Sequence, residues 1–473
     1  MIGIIPRAAA VALAIFTTAC ALHEVEAPPP EVPQTFAAQT TESEKGWPSK
    51  DWYATFGSSE LTALVEEAAA SNMDLGMARS RVLQADARAR QAGAAILPSV
   101  DLGGNGNYLA GHSSNGSAHE TDWGALLSAS YEVDFWGKNR AAARSANALA
   151  AASRADRDTL ALTSLAGVAD TYFQILSLRQ RLGIAISNRD AAKQLLDVIQ
   201  ARFDAGVSNP VDLATQKATL AAASLVIPEL QQQESETLAS LAFLLGREPE
   251  NFVVEARSLD ALMEPRVASG MPSELLTRRP DVFMAEANLR AANADLVVAR
   301  AALFPSLTLT AGGGVQNPAL NAAVISLSGV GPTLNLGAAL TQPIFDGGRL
   351  RAARAEAQAK DEELIVAYRA AILASLVDVE NALNALRHLD DSRLPQEERL
   401  TQSERAFEGA SLRYKEGAGD FLTVLEAQRL LYTARDQFSQ YKLTRFRALV
   451  ALCKALGGGW QTPRSPVSAK DMR

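Results

Sequence analysis

From Leu61 to about Ala95 apolar side chains recur at three-and-four spacing, beginning with Leu61, Leu64, Val65 and Ala68. That period returns one face of an α-helix. The stretch ends at Pro98, and a second one, from Pro272-Ser273 to Phe304, ends at Pro305. Proline lacks the amide that a continuing turn needs, so both helices should stop there. Beyond each proline the period drops to two. Val100, Leu102 and Tyr108 alternate with Ser99, Asp101, Asn105 and Asn107; Leu127, Ala129, Tyr131, Val133 and Phe135 alternate with Ser128, Ser130, Glu132 and Asp134. Leu307, Leu309 and Ala311 against Ser306, Thr308 and Thr310, then Leu334, Leu336, Ala338 and Leu340 against Thr333, Asn335 and Thr341, repeat the pattern. It predicts two β-hairpins, 99–135 and 306–345, with connecting loops Ala110 to Asp122 and Gln316 to Pro332.

Long helical stretches follow, Asn139 to about Ala205 and Leu350 to about Glu416, rich in Ala, Leu, Arg, Glu and Gln, with Pro395 as an expected kink in the second. Some 67 residues at about 1.5 Å each extend about 100 Å, and their apolar stripes need partner helices. A further helix follows each glycine turn: Val211 to Leu245, interrupted at Pro228, and Phe421 to Leu456.

The chain is thus built twice. Asp74 to Asp281 and Pro98 to Pro305 each step 207 residues; Gly137-Lys138 and Arg140 step 211 to Gly348-Arg349 and Arg351, as do Arg202-Phe203 and Gly206 to Arg413-Tyr414 and Gly417. The expected organisation is a segment 1–19, a linker 20–48, a first repeat 49–246, a connector 247–272, a second repeat 273–456 and a tail 457–473.

Strands of about 10 residues with one apolar and one polar face suit a tilted bilayer crossing; an ordinary half-buried sheet shows the same alternation. Four strands cannot close a barrel, and lipid tolerates no open edge, so a membrane location requires protomers to pool their hairpins.

Composition narrows the function. Of 473 residues 48% are hydrophobic and 21% charged, which excludes disorder for most of the chain. Acidic residues outnumber basic ones, 53 to 45, giving a net charge of -8 that disfavours a nucleic-acid partner. Two cysteines and four histidines give no metal-ligand cluster. Glycine runs 312–314 and 457–459 lack the strand-to-helix context of a phosphate loop, so no cofactor is expected.

Arg7, the apolar run Ala8 to Phe16 and the small residues Thr17-Thr18-Ala19-Cys20 form an export signal, too short to span a bilayer. Cleavage before Cys20 would free it to carry lipid; the alternative is a generic cut at Ala19-Cys20-Ala21. The segment resembles a bacterial lipoprotein signal, with Thr17 where Leu is usual. Cys453, in a helical pattern, is most simply a buried small hydrophobe.

Several segments together resemble one family. Leu275-Leu276-Thr277-Arg278-Arg279-Pro280-Asp281, Ala285-Glu286, Ala291-Ala292-Asn293-Ala294-Asp295 and Phe304-Pro305-Ser306 are similar to the TolC-like outer-membrane factors, particularly the NodT-type lipoprotein branch. So are Tyr131 to Gly137, Gln342 to Arg349 and Phe421 to Arg429, and the match runs in order over about 47–456. The resemblance implies a mainly α protein with a transmembrane β-barrel portion: a homotrimer whose four strands per protomer close one 12-stranded barrel, continued by a long periplasmic α-helical tunnel. It implies the exit duct of a tripartite efflux or secretion system, partnered by a periplasmic adaptor and an inner-membrane pump and set in outer-membrane lipid, with no catalysis of its own. It places a periplasmic gate just after the glycine turn, on Leu422, Glu426 and Arg429, with Asp212 and Tyr414 as candidate links between neighbouring helix pairs. Gly419 stands where some members carry an Arg that braces the closed state. Arg429, three residues after Glu426, could neutralise a ring of symmetry-related carboxylates. For Glu426 a solvated helix charge, for Leu422 ordinary packing and for Asp212 a helix cap remain the alternatives.

Two other classes compete. A coiled-coil adhesive or structural lipoprotein explains the helices but has no need of the hairpins. An exported enzyme could use the carboxylates Asp101, Glu132 and Asp134, but no cleft-forming domain surrounds them.

Overall fold

The computed structural model describes residues 33, 35–37, 47–113, 116–267, 272–316 and 331–461. The signal 1–19, Cys20, most of the linker to 48, connector residues 268–271, residues 317–330 of the expected loop Gln316 to Pro332 and the tail from 462 lie outside the described residues.

Helices α1 (Ser59–Ser71) and α2 (Met73–Ala94) lead to strands β1 (Ser99–Ser113) and β2 (Gly116–Val133), then to helices α3 (Lys138–Asp204) and α4 (Pro210–Leu245). After an irregular connector and one helical turn, Leu275–Arg278, the order recurs as α5 (Pro280–Ala301), β3 (Ser306–Gln316), β4 (Gly331–Thr341), α6 (Arg349–Lys415) and α7 (Phe421–Ala455). The duplication is legible in the bounds: α2 and α5 begin and end 207 residues apart, while α3 and α6 begin and end 211 apart and hold 67 residues each.

Local chemistry fixes where the long helices start and stop. The Asp134 carboxylate accepts from the backbone N–H groups of Asn139 (3.0 Å) and Arg140 (2.9 Å), satisfying two donors that the first turn of α3 leaves open. Asp346 does the same for α6, accepting from Gly348 and Leu350. Burial alone would raise the Asp134 pKa, but these N–H groups and Arg140 outweigh it and hold the carboxyl below the usual carboxylate range. At the far ends, Gly206 and Gly417 take left-handed φ of 75° and 76°. Val207 N–H then reaches Arg202 O and Ala418 N–H reaches Arg413 O, both at 2.9 Å, so both repeats end on the same glycine-dependent C-cap.

Four expectations change. The first helix is two, because Asn72 leaves helical dihedrals (φ −57°, ψ 129°), caps α2 through Leu75 N–H and donates its amide to Leu244 O at 2.8 Å. Helix α4 is not interrupted at Pro228; the helix continues through it, held by the buried Leu230 beside Leu178 and Ala185. The helix expected from Pro272 is broken, as the first is, since Arg279 (φ −112°, ψ 122°) separates the turn Leu275–Arg278 from α5, while Pro395 lies inside α6. The first hairpin is longer than expected: residues 110–113 and 116–122 continue the ladder rather than forming a loop, since cross-strand pairing satisfies a polar backbone as well as an apolar one.

The chain forms two compact units that each draw on both repeats. One comprises 81–154 and 284–369, with 1–29 outside the described residues, and carries the four strands as a single antiparallel sheet ordered β1-β2-β3-β4. The other comprises 30–80, 155–283 and 370–473. Its core joins Trp52, Phe56, Leu61, Tyr172, Phe173, Leu241, Leu245 and Phe446, with ring centroids of Phe173 at 5.0 Å from Phe56 and 5.1 Å from Phe446. Tyr172 O–H donates to Glu60 (3.0 Å), and burial pushes its pKa up to about 12. The connector docks here because Arg179 donates to Val254 O and Ala256 O (both 2.6 Å) while pairing with Glu234.

The Thr277-Arg278-Arg279-Pro280-Asp281 motif is structural. Arg279 is buried and donates to Asp281, to Asp378 of α6 (2.9 Å) and to Ala455 O at the end of α7 (3.0 Å). One guanidinium thus satisfies groups on three helices, and Arg278 stacks on Trp47 at 4.9 Å.

Candidate functional site

In the sheet, register decides what each face presents. Val100 lies opposite Ala129 and Leu102 opposite Leu127; Ala129 pairs Ala311 and Tyr131 pairs Leu309; Leu309 pairs Ala338, Ala311 pairs Leu336 and Leu307 pairs Leu340. Directly opposite residues share a face, so the apolar alternates of all four strands fall on one side. Ser99, Asp101, Ser128, Ser130, Glu132, Thr308, Thr310, Gly337 and Ala339 fall on the other. The apolar row is exposed in the single chain, Leu336 at 78% and Leu102 at 78%, which a protein in water alone does not sustain over so broad a patch. Strands β1 and β4 are the free edges of the sheet within one chain. Below β2, Trp136 stacks on Phe304 with centroids 4.6 Å apart and donates to Pro305 O (2.8 Å), fixing where the strand gives way to helix.

At the glycine turns, the ends of α3 and α6 and the starts of α4 and α7 share a small core of Leu195, Ile199, Leu213, Tyr414, Phe421 and Val424. Tyr414 belongs inside it, 4% exposed, its ring 6.1 Å from Phe421 and covered by the Arg202 guanidinium at 4.7 Å. Arg202 also donates to Tyr414 O (2.7 Å), so it binds the C-terminus of one repeat's helix to that of the other. Leu422, Glu426 and Arg429 form the opposite stripe of α7, at i, i+4 and i+7, all exposed, while Phe421, Val424, Gln428 and Leu431 face inward. Glu426 and Arg429 are ion-paired at 2.9 Å.

Asp212 is not the cap of α4. Asn209 is, its Oδ1 accepting from Asp212 N–H at 2.9 Å, while the Asp212 carboxylate accepts from Ser208 O–H at 3.4 Å. Among the described residues no hydrogen bond joins Asp212 to Tyr414 within one chain. Its counterpart cap is Asp420, whose carboxyl is held below the usual range by Thr423 N–H and O–H. Gly419 is closely packed: a Cβ there would stand 3.2 Å from Arg413 Cβ and 3.3 Å from Tyr414 N, so these neighbours must give by a few tenths of an ångström to admit a side chain.

Sequence reasoning missed two residues here. Arg202 was visible as a repeat marker, but its partner lies 212 positions away. Val211, exposed at 69%, stands at the position of Leu422 in the other repeat, a match that the 211 offset makes readable.

The model of the outer membrane efflux protein family matches residues 64–247 and 271–458, both repeats in turn. The chain belongs to this family. It is 44% identical over 431 residues to the pyoverdine export outer membrane protein OpmQ of Pseudomonas aeruginosa, covering 89% of this chain and 90% of that one. It is 28% identical over 455 residues to the cation efflux system protein CusC of Escherichia coli, covering 95% and 98%. Among solved structures, the outer-membrane channel OprN superposes with a TM-score of 0.83 at 29% identity, over 92% of this chain and 99% of that chain. The chain is accordingly an outer-membrane efflux channel with periplasmic helices, and its sheet is the part that meets lipid.

Proposed function

We propose that three copies assemble so that β4 of each pairs β1 of the next, closing one 12-stranded barrel through which cargo leaves, with the periplasmic helices lining the tunnel behind it. The observation that carries this is the sheet: one continuous apolar face and two unpaired edges, a combination that lipid permits only when the ring is closed. The partners proposed are a periplasmic adaptor and an inner-membrane pump, and the duct does no chemistry on its cargo. Cys20 is proposed as the lipid anchor after removal of 1–19. Repeats 49–246 and 273–456, joined by 247–272, are the units whose alternation builds the ring.

The gate is assigned to the exposed stripe of α7, Leu422, Glu426 and Arg429, repeated three times about the axis. Asp212 and Tyr414 brace it, Tyr414 through Arg202 and Asp212 from the first turn of α4. For cargo, the relative named for pyoverdine export shares 44% identity against 28% for the one named for cation efflux, which favours export of a product of the pyoverdine kind. Purified protein in planar bilayers tests the duct: trimeric particles with a gated conductance are expected, and monomers without conductance would refute it. Deleting the gene should leave the exported product in the cells rather than the medium.

A further inference from the structure

The two glycine turns have the same sequence frame, Arg202-Phe203 with Gly206 and Arg413-Tyr414 with Gly417, and the same backbone hydrogen bonds. Their arginines nevertheless do different things. Arg202 leaves its own repeat, donating to Tyr414 O at 2.7 Å and lying 4.7 Å over the Tyr414 ring. Arg413, its counterpart at the 211 offset, stays home, with only a 3.5 Å contact to Ala418 O in its own turn, and is exposed. The acceptors differ to match. Tyr414 O receives Gly417 N–H and Arg202, and its ring is buried. Phe203 O receives Gly206 N–H at 2.9 Å, and its ring is only half-buried. A carbonyl oxygen has two lone pairs, so Phe203 O has room for a second donor, and its ring has a face to offer a cation.

Within one chain the first repeat reaches the second, and among the described residues no third repeat follows Arg413 for it to reach in the same way. In a closed ring of duplicated chains the repeat that follows is the first repeat of the next copy. We propose that Arg413 crosses the protomer boundary in the assembled channel, donating to Phe203 O of the neighbouring copy and covering its ring as Arg202 covers Tyr414. The site is incomplete in one chain and is finished by a residue of another, a head-to-tail contact that closes after three steps. It rests on the trimer proposed above and adds to it a specific link between copies at the helix tips, six arginine clasps rather than three.

The test is chemical cross-linking of detergent-purified channel with a short thiol-reactive bifunctional reagent. Arg413→Cys/Phe203→Cys should give covalent dimers and trimers on denaturing gels, and each single-cysteine variant should give monomers. Arg202→Cys/Tyr414→Cys, the contact made within one chain, should cross-link without raising the mass. Cys453 is 1% exposed and does not compete. Because Phe203→Cys removes part of the tip core, Arg413→Cys with the exposed Asp204→Cys provides a second pair expected to give the same ladder. If native mass measurement shows intact trimers of both pairs and both yield only monomers on denaturing gels, the link is overturned while the trimer stands. If the unsubstituted channel is itself monomeric, the trimer falls and the link with it.

Discussion

Replacing Arg429 by Gln removes one half of an ion pair made at 2.9 Å and leaves the Glu426 carboxylate unbalanced in every copy. The pair itself contributes little: its side chains are 53% and 74% exposed, and a surface i,i+3 pair is worth about 0.3–0.5 kcal/mol. What matters is how the unpaired charges act on one another. At a spacing of about 8 Å around the axis, three carboxylates would repel across water by about 0.5 kcal/mol per pair, or about 1.5 kcal/mol for the three pairs. That shifts a closed-to-open equilibrium about tenfold at low salt. With a Debye length of about 8 Å at physiological ionic strength, about a third of the repulsion remains, and the shift falls to between about two- and threefold. Glu426→Gln leaves three guanidinium groups and should open the channel by a similar factor. The double variant Glu426→Gln/Arg429→Gln leaves no charge and should return to about the unsubstituted level, which attributes the effect to balance rather than to either side chain. Closed-state conductance in planar bilayers, measured at about 0.02 M and about 1 M salt, reads all three. A double variant as open as the singles, or single variants indifferent to salt, would refute the electrostatic account of the gate.

Three further outcomes follow from groups described above. Arg279→Ala leaves the partly exposed carboxylates of Asp281 and Asp378 and the Ala455 carbonyl without their shared donor and should destabilise the channel by about 1.5–3 kcal/mol, with Lys restoring only part; thermal unfolding in detergent measures it. Leu336→Arg on the apolar face should cost about 2–4 kcal/mol of insertion, while Asn335→Arg, one residue earlier and facing the other side, should insert near normally; equal losses in outer-membrane yield would contradict the register. The folded pKa of Asp134 is lowered, so its capping of α3 is fully present above the ordinary carboxylate value of about 3.9 and is lost as pH falls through the lower folded value. Amide exchange at Asn139 and Arg140 should accelerate over that acid range, and Asp134→Asn, with one acceptor oxygen for the two amides, should remove the step.

How much of this the sequence disclosed depended on how local the cause was. The bounds of α3 and α6 were legible to within about one residue, because they rest on a capping Asp and a C-cap glycine within a few positions of the helix. The sheet face was legible because alternation alone assigns it. The first hairpin was read short, since polar residues from 110 onward look like a loop until a partner strand is known to pair them. Asn72 was passed over because its amide is drawn out of the helix by Leu244 O, a carbonyl 172 positions away. Pro228 was read too strongly, as neighbouring packing offsets one lost hydrogen bond. In the gate region the exposed stripe of α7 followed from helical spacing, whereas the burial of Tyr414 under Arg202 needed the tertiary contact.

The step in offset from 207 to 211 falls wholly between the start of each hairpin and the start of the helix after it. Since the halves diverged, net length has changed there and nowhere in the 67-residue helices. The reason is geometric: one residue added within α3 would turn everything beyond it by about 100° and advance it by about 1.5 Å, carrying Arg202 away from Tyr414. Hairpin tips have no such downstream obligation. These are the positions where this gene can gain or lose codons without altering the register of α3 and α6 that leads to the glycine turns.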